Sequence, residues 1–294
     1  MRRRKLDGVL LLDKPVGPSS SAVLQAVKRL LGAEKAGHAG TLDPLASGLL
    51  PLLFGEATKF AQFGLHAAKE YVADIRLGVA TDTGDAQGAL VERRPAGVDD
   101  AQLAKALAGF RGEIEQVPPM YSALKHGGRP LYALARAGQT VARESRQVTV
   151  HELELVSRMG DFLRLRVRCS KGTYVRQLAA DLGLALGTGA HLEALRRTAV
   201  GRFQIERAVT LDDLQALGEQ ARLAWLQPAD SLLAELPRLD LDEAQAARFL
   251  NGQAIDLAVC GGSCRVYLRD GPLLGVGEAR PGVGLRPVRL LASG

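Results

Sequence analysis

The chain has little cysteine, few aromatic residues and no long apolar run. Its three cysteines (Cys169, Cys260 and Cys264) cannot all pair within one molecule. That excludes a disulfide framework and fits a reducing compartment. Cys260 and Cys264 stand four apart with no histidine nearby, a poor arrangement for zinc, so no metal is expected. The longest apolar stretches, such as Leu49 to Phe54 with Pro51 inside, fall far short of the ~20 residues a membrane helix needs. At the N-terminus, Arg2 to Lys5 is basic, but only Val9 to Leu12 follow before Asp13, too short for the apolar region of a secretion signal. A soluble cytoplasmic protein with no membrane contact is the expectation. Aromatic residues make up 4% of the chain, which argues against a single-strand nucleic-acid binder built on stacking platforms. No GxGxxG opens a helix after a strand and no GxxxxGK[ST] is present, so no nucleotide cofactor is expected.

What is present is an average globular composition, 47% hydrophobic and 24% charged over 294 residues, with room for about two domains. The net charge is +6, and it is unevenly spread. Residues 121–150 and 151–207 each carry +4, and residues 208–235 carry −4. A basic centre makes a polyanionic partner worth considering, although mildly basic enzymes are common.

Hydrophobic periodicity predicts a first strand at Val9 to Leu12, then a helix capped by Ser19 or Ser20 and stopped by Gly32. Gly37 to Gly48 reads as a loop, and Glu56 to Phe63 as a short helix. Further strands are expected around Tyr71–Leu77, Val148–Leu155 and Leu163–Cys169. Helices are expected after Asp99 or Asp100, from Tyr174 to Leu186, and after the box-like Thr210-Leu211-Asp212-Asp213. Beyond Pro237 the pattern turns to short strands with frequent glycines. The expected architecture is α+β, a mixed or antiparallel sheet spanning residues 1–235 with a small β-rich domain at 236–294.

The most unusual stretch is Gly37-His38-Ala39-Gly40-Thr41-Leu42-Asp43-Pro44-Leu45-Ala46-Ser47-Gly48. Pro44 disfavours helical backbone at Asp43 and holds it extended, and the flanking glycines allow close backbone approach. A carboxylate fixed in this way suits acid, base or nucleophile chemistry. By spacing alone, an ordinary Asp-Pro turn is the commoner explanation.

This stretch, continued through Gly55-Glu56-Ala57-Thr58-Lys59, resembles the signature of the TruB family of tRNA pseudouridine-55 synthases. Further segments resemble the family in the same order: Gly8 to Pro15, Lys69-Glu70-Tyr71, Thr81 to Asp85, Pro119 to Lys125, Cys169 to Arg176 and His191 to Arg197. The resemblance covers about residues 8–215. The C-terminal domain resembles the family's PUA-like RNA-binding module in length, position and texture only, and its net charge is only +1.

The resemblance implies isomerisation of a uridine inside RNA, with no cofactor and no metal. The N1–C1′ bond breaks, the base turns over, and C5 bonds to C1′. Asp43 matches the essential aspartate, which attacks C1′, adds to C6 or removes the ribose 2′ proton. Arg176 matches its arginine partner, and Tyr71 the tyrosine that packs on the base and is placed to take the C5 proton. Tyr174 and Leu195 match lining residues of the uracil pocket, and Lys14 a basic residue near it. His38 matches the residue that occupies space vacated by flipped nucleotides. Lys125, Arg129, Arg136, Arg143 and Arg146 fall in a segment matching the RNA-clamping insertion. Arg164, Arg166 and Arg168 share one strand face, either a phosphate-facing stripe or a solvated sheet face. The implied partner is the T stem-loop of tRNA, bound by a monomer with no obligate protein partner. Two alternatives remain: a guide-RNA-directed synthase subunit of the dyskerin type, and an RNA-binding tRNA folding helper.

Overall fold

From Phe162 to Cys169 exposed and buried residues alternate without a break, the signature of a strand with one wet and one dry face. The computed structural model describes residues 3–257 and 261–291; Arg2 and Cys260 lie outside the described residues. Phe162–Cys169 pairs antiparallel with Lys69–Leu77 on one side and with Arg146–Met159 on the other. These strands belong to a ten-stranded mixed sheet. Its main path runs Val209–Thr210, Gly8–Lys14, Ala46–Phe54, Ala190–Val200, Lys69–Leu77, Phe162–Cys169, Arg146–Met159, Gly112–Gln116. The fold is α+β, as expected.

The dry face of Lys69–Leu77 and Phe162–Cys169 is covered by two helices. Leu103 and Leu107 of helix Asp100–Gly109, with Leu178, Ala179 and Leu182 of helix Val175–Ala185, pack on Ala73, Ile75, Leu165 and Val167. Strands Gly8–Lys14 and Ala46–Phe54 are buried on both faces and so read as continuous apolar runs rather than alternation. Helix Ser20–Leu30 covers one of those faces through Val23, Leu24 and Val27. Ser19 is its cap, accepting the Ala22 N–H at 3.2 Å, and the helix from Asp100 starts with a full capping box between Asp99 and Gln102.

Several expectations need correction. The loop at 37–48 is shorter, because Ala36–His38 and Ala46–Phe54 are paired strands that enclose it. The helix expected at 56–63 is a 3-10 turn, Gly55–Phe60, followed by α-helix Ala61–His66. The box at Thr210 is half formed: its hydroxyl oxygen accepts the Asp213 N–H, but the hydroxyl donates to the Asp213 carboxylate. The C-terminal region is β-rich, as expected, with its strands in one four-stranded sheet (Arg238–Leu241, Gly262–Leu268, Leu273–Arg280, Gly284–Leu290), together with an unforeseen helix, Glu243–Leu250. Phe249 of that helix anchors a separate core with Leu241, Val266 and Leu285. Phe60, Leu233 and Val276 join this sheet to the larger part, and Lys59 Nζ donates to the Leu290 carbonyl at 2.9 Å.

The two halves of the main sheet meet where Ala190–Val200 runs parallel to Ala46–Phe54, with Leu195 opposite Ala46 and Arg197 opposite Gly48. Gly48 has φ +103°, and a Cβ there would lie 2.3 Å from the Arg197 carbonyl oxygen. Only glycine lets the strands close at this point. Gly48→Ala is expected to lower the urea midpoint by the equivalent of about 2–4 kcal/mol with an unchanged m-value. A loss below about 0.5 kcal/mol would show that the seam is looser than described.

Candidate active site

Asp43 sits on the loop that leads into Ala46–Phe54, and buried polar groups from three elements fix that loop. The Ser20 hydroxyl accepts the Leu42 N–H at 2.8 Å and donates to the Leu42 carbonyl at 2.9 Å. Lys14 Nζ, with its residue 0% exposed, donates to the carbonyls of Ala46 (2.7 Å) and Pro15 (2.8 Å). Arg197 donates to the carbonyls of Leu49 (2.7 Å), Gly40 (3.2 Å) and Thr41 (3.4 Å). Backbone carbonyls that a loop would normally show to water are thus satisfied internally.

The Asp43 carboxylate remains 45% exposed, and Arg176 holds it from behind. Arg176, whose side chain is 6% exposed, meets Asp43 Oδ2 with Nη2 at 2.8 Å and Nε at 3.0 Å. Its remaining donors go to the Tyr121 carbonyl (2.7 Å) and the Thr83 carbonyl (3.1 Å). A second, buried carboxylate, Asp85, lies 3.5 Å from Arg176 Nε. Asp85 is itself fixed through Oδ1 by the Thr83 hydroxyl (2.7 Å) and the Gln87 N–H (3.1 Å). One cation thus serves two carboxylates, and only Asp43 faces solvent. No described residue donates to Asp43 Oδ1.

Tyr71 stands directly opposite Arg197 in the antiparallel register, so both side chains share one face of the sheet. Burial pushes the Tyr71 hydroxyl pKa up, and the adjacent Arg197 pulls against that shift. Burial is also the main cause that takes Lys14 and Lys69 each down to about 8, and Arg197 adds to the effect in both. Lys69 Nζ closes the turn after Ala61–His66 by donating to the carbonyls of Leu65, Ala67 and Gly64.

Asp43, Tyr71, Tyr174, Arg176, Leu195 and Arg197 line one cleft of about 280 Å³. It offers a carboxylate with one unengaged oxygen, a phenol, an aromatic wall and an apolar floor at Leu195. This arrangement can receive a flat, polar ring and deliver a carboxylate to it. Among the described residues no group of three or more His, Cys, Asp or Glu is placed to hold a metal ion. No described helix is long and apolar enough to cross a membrane.

The cleft brings together five of the residues singled out in the sequence: Asp43, Tyr71, Tyr174, Arg176 and Leu195. Lys14 lies beneath the Asp43 loop, with no exposed surface of its own. His38 ends the Ala36–His38 strand, half-buried, with Nδ1 unpartnered; burial and then Arg197 push its pKa down. Lys125 and Arg129 sit on an exposed hairpin turning at Gly127 and Gly128, outside the cleft lining. The stripe of Arg164, Arg166 and Arg168 is a solvated face with each charge matched: Asp74 at 2.6 Å, Glu154 at 3.1 Å and Glu152 at 3.1 Å. Sequence reasoning missed Ser20, Asp85 and Arg197 as site residues. The only signal for the last two was their place inside the motifs Thr81 to Asp85 and His191 to Arg197.

Comparison with known proteins places the whole chain in one company. Residues 28–175 match the TruB family pseudouridylate synthase N-terminal domain. Residues 176–234 match the tRNA pseudouridylate synthase B C-terminal domain, and residues 237–291 the C-terminal domain of pseudouridine synthase II TruB. A tRNA pseudouridine synthase B of Burkholderia mallei (strain NCTC 10247) is 58% identical over 302 residues, covering 100% of both chains. One of Aromatoleum aromaticum (strain DSM 19018 / LMG 30748 / EbN1) is 55% identical, covering 99% of this chain and 95% of that protein. Among solved structures, the crystal structure of a Cbf5-Nop10-Gar1 complex superposes with TM-score 0.76 at 30% identity, over 96% of this chain and 84% of that one. An H/ACA RNP bound to a substrate RNA containing 2'-deoxyuridine gives TM-score 0.74 at 28% identity, over 97% and 85%.

The buried Lys14 makes stability depend on pH. Its pKa of about 8 lies below the ordinary 10.5, so between those values the unfolded chain holds the proton and the folded chain releases it. Stability therefore rises with pH across that window. In urea titrations, wild type is expected to gain about 1–2 kcal/mol over Lys14→Met between pH 8 and 10. Parallel pH curves for the two proteins would contradict the burial of the ammonium.

Proposed function

The chain belongs to the TruB family of pseudouridylate synthases, and on that premise we propose that it isomerises uridine 55 in the T loop of tRNA to pseudouridine at the Asp43 cleft. The observation that carries this reading is the Asp43 carboxylate, pinned through one oxygen by Arg176 while the other faces a cleft walled by Tyr71 and Tyr174.

The target base lies in a folded loop and has to leave its stack, at a cost of a few kcal/mol. Stacking against the tyrosines and exclusion of water by Leu195 offset that cost. His38 fills part of the space the flipped nucleotides leave, and the exposed hairpin with Lys125 and Arg129 meets phosphates. Lys14 serves the substrate indirectly, by holding the carbonyl of Ala46 and hence the loop of Asp43. Asp43 supplies the carboxylate that starts cleavage of the N1–C1′ bond. The base turns over, C5 bonds to C1′, the proton on C5 leaves and N1 gains one. Tyr71 takes the C5 proton, and the charge of Arg197 favours the phenolate this requires. The reaction is a rearrangement with nothing added or removed, so it consumes no oxidant and no triphosphate.

The same reading assigns catalysis to residues 1–235 and RNA contact of a PUA-like kind to residues 236–294. It places the protein in the cytoplasm as a monomer acting on tRNA without a guide or partner. A guide-directed subunit would be inactive on bare tRNA. A pure folding helper would keep its function in Asp43→Asn.

Tritium release from an unmodified tRNA transcript labelled at C5 of uridine tests the reaction. Wild type is expected to release about one tritium per tRNA, and none when the T-loop uridine is replaced. Asp43→Asn is expected to lose about 10³-fold or more of the rate while still binding tRNA. Tight binding with no release by wild type would sink the stand-alone reading. The paired arginine face makes a second prediction: Arg166→Ala with Arg168→Ala is expected to leave the salt dependence of tRNA binding unchanged. A drop of about one in the log–log slope per arginine would instead mark these side chains as phosphate contacts.

A further inference from the structure

A buried glutamine outside the cleft lining holds the segment on which Arg176 sits. Gln116 is the last residue of the edge strand Gly112–Gln116 and is 2% exposed. Its side-chain amide pairs with one residue 58 positions away: Oε1 accepts the Tyr174 N–H at 2.8 Å, and Nε2 donates to the Tyr174 carbonyl at 3.1 Å. The amide thereby pairs with Tyr174 as a neighbouring strand's backbone would. Burying an amide is costly unless it is bonded in this way, and a well-packed apolar residue would avoid the cost altogether.

Tyr174 is the residue before helix Val175–Ala185, and the start of that helix lacks ordinary support. Tyr174 makes no capping bond with its own side chain, and no acidic residue stands in the first turn. The first turn instead carries Arg176, a cation at the positive end of the helix dipole. The Tyr121 carbonyl, five residues beyond Gln116, accepts from Arg176 Nη2 at 2.7 Å. The chain from Gln116 to Tyr121 is therefore stitched to the first helical turn at two points, one on the backbone of Tyr174 and one on the guanidinium that holds Asp43.

We propose that Gln116 is a positioning residue for the isomerisation: its amide fixes the entry of helix Val175–Ala185, and so the aim of Arg176 at Asp43. This rests on the reading of the cleft as the isomerase site.

The test uses the full chain with Gln116→Met, which keeps length and loses both bonds, and Gln116→Glu, which keeps the acceptor for Tyr174. Single-turnover rates on saturating tRNA are expected to fall about 10–100-fold in Gln116→Met, with tRNA Kd within about twofold of wild type. Gln116→Glu is expected to fall between the two. Added to Arg176→Lys, Gln116→Met is expected to cost less than about threefold more, because both act through one guanidinium. Amide exchange at Tyr174 is expected to speed up about tenfold or more in Gln116→Met, with exchange at Leu182 unchanged. Unchanged Tyr174 exchange, a rate within twofold of wild type, or losses that multiply with Arg176→Lys would overturn the proposal. If Gln116→Met fails to fold, Gln116→Glu is read by its rate and by its combination with Arg176→Lys, with the same limits, because it keeps the acceptor for the Tyr174 N–H. A wild type inactive on tRNA sinks the isomerase reading, whereas an active wild type with an indifferent Gln116→Met sinks only this one.

Discussion

The contact on which the site depends is the ion pair of Arg176 with Asp43, because a guanidinium with a 6% exposed side chain must find partners for its donors or destabilise the fold. Arg176 meets that demand with parts of three separate segments: the Asp43 loop, the turn at Thr83 to Asp85, and the Tyr121 strand exit. Removing any one would leave a buried donor unpaired, at about 1–3 kcal/mol. The arginine thus ties the geometry of the carboxylate to the folding of the region. The Asp43 loop is held by the same bonds that satisfy a buried charge.

A second consequence follows from the parallel seam. Closing Ala190–Val200 on Ala46–Phe54 through Gly48 puts Arg197 under the Asp43 loop and beside Tyr71. Its donors then take up the carbonyls of Gly40 and Thr41 in the loop and of Leu49 in the strand that follows, while Ser20 and Lys14 take up those of Leu42, Pro15 and Ala46. No regular hydrogen-bond ladder passes through this loop, so side chains do the work of one. That explains why the residues around the Asp43 carboxylate include long, polar, buried side chains.

The sequence revealed these features unevenly. Strands with one wet face, such as Phe162–Cys169, and helices with a short polar cap, such as those after Ser19 and Asp99, are legible because the signal is local. Gly112–Gln116 was not, since Gly-Glu-Ile-Glu-Gln has one apolar side chain and gains its strand character only by pairing with Arg146–Met159. The helix Glu243–Leu250 was masked by the glycine-rich strands after it. Asp43, Tyr71 and Arg176 stand out through family resemblance; spacing alone favours an ordinary Asp-Pro turn at Asp43. Ser20, Gln116 and Arg197 owe their roles to partners 22 to 157 positions away, which no window along the chain can register. Arg164, Arg166 and Arg168 illustrate the converse: a basic run in one dimension becomes a neutral ladder once Asp74, Glu152 and Glu154 arrive on neighbouring strands.

That ladder also bears on where the protein keeps its uncompensated charge. Lys14, Lys69 and Arg197 lie buried around the cleft, bonded to backbone carbonyls, and none of the three forms an ion pair with a carboxylate among the described residues. Maintaining them there costs desolvation, visible in the two lysines drawn down to about 8. In the proposed reaction the N1–C1′ bond breaks with its electrons on the base, so negative charge develops on the uracil ring while it is detached. Buried cations held in place beside such a charge stabilise it without reorganising at that moment. The exposed sheet face needs no such field, and there the arginines are cancelled one by one. Buried, carbonyl-held cations beside the cleft and neutralised ones on the outer face are what a site that must hold a transient anion would require.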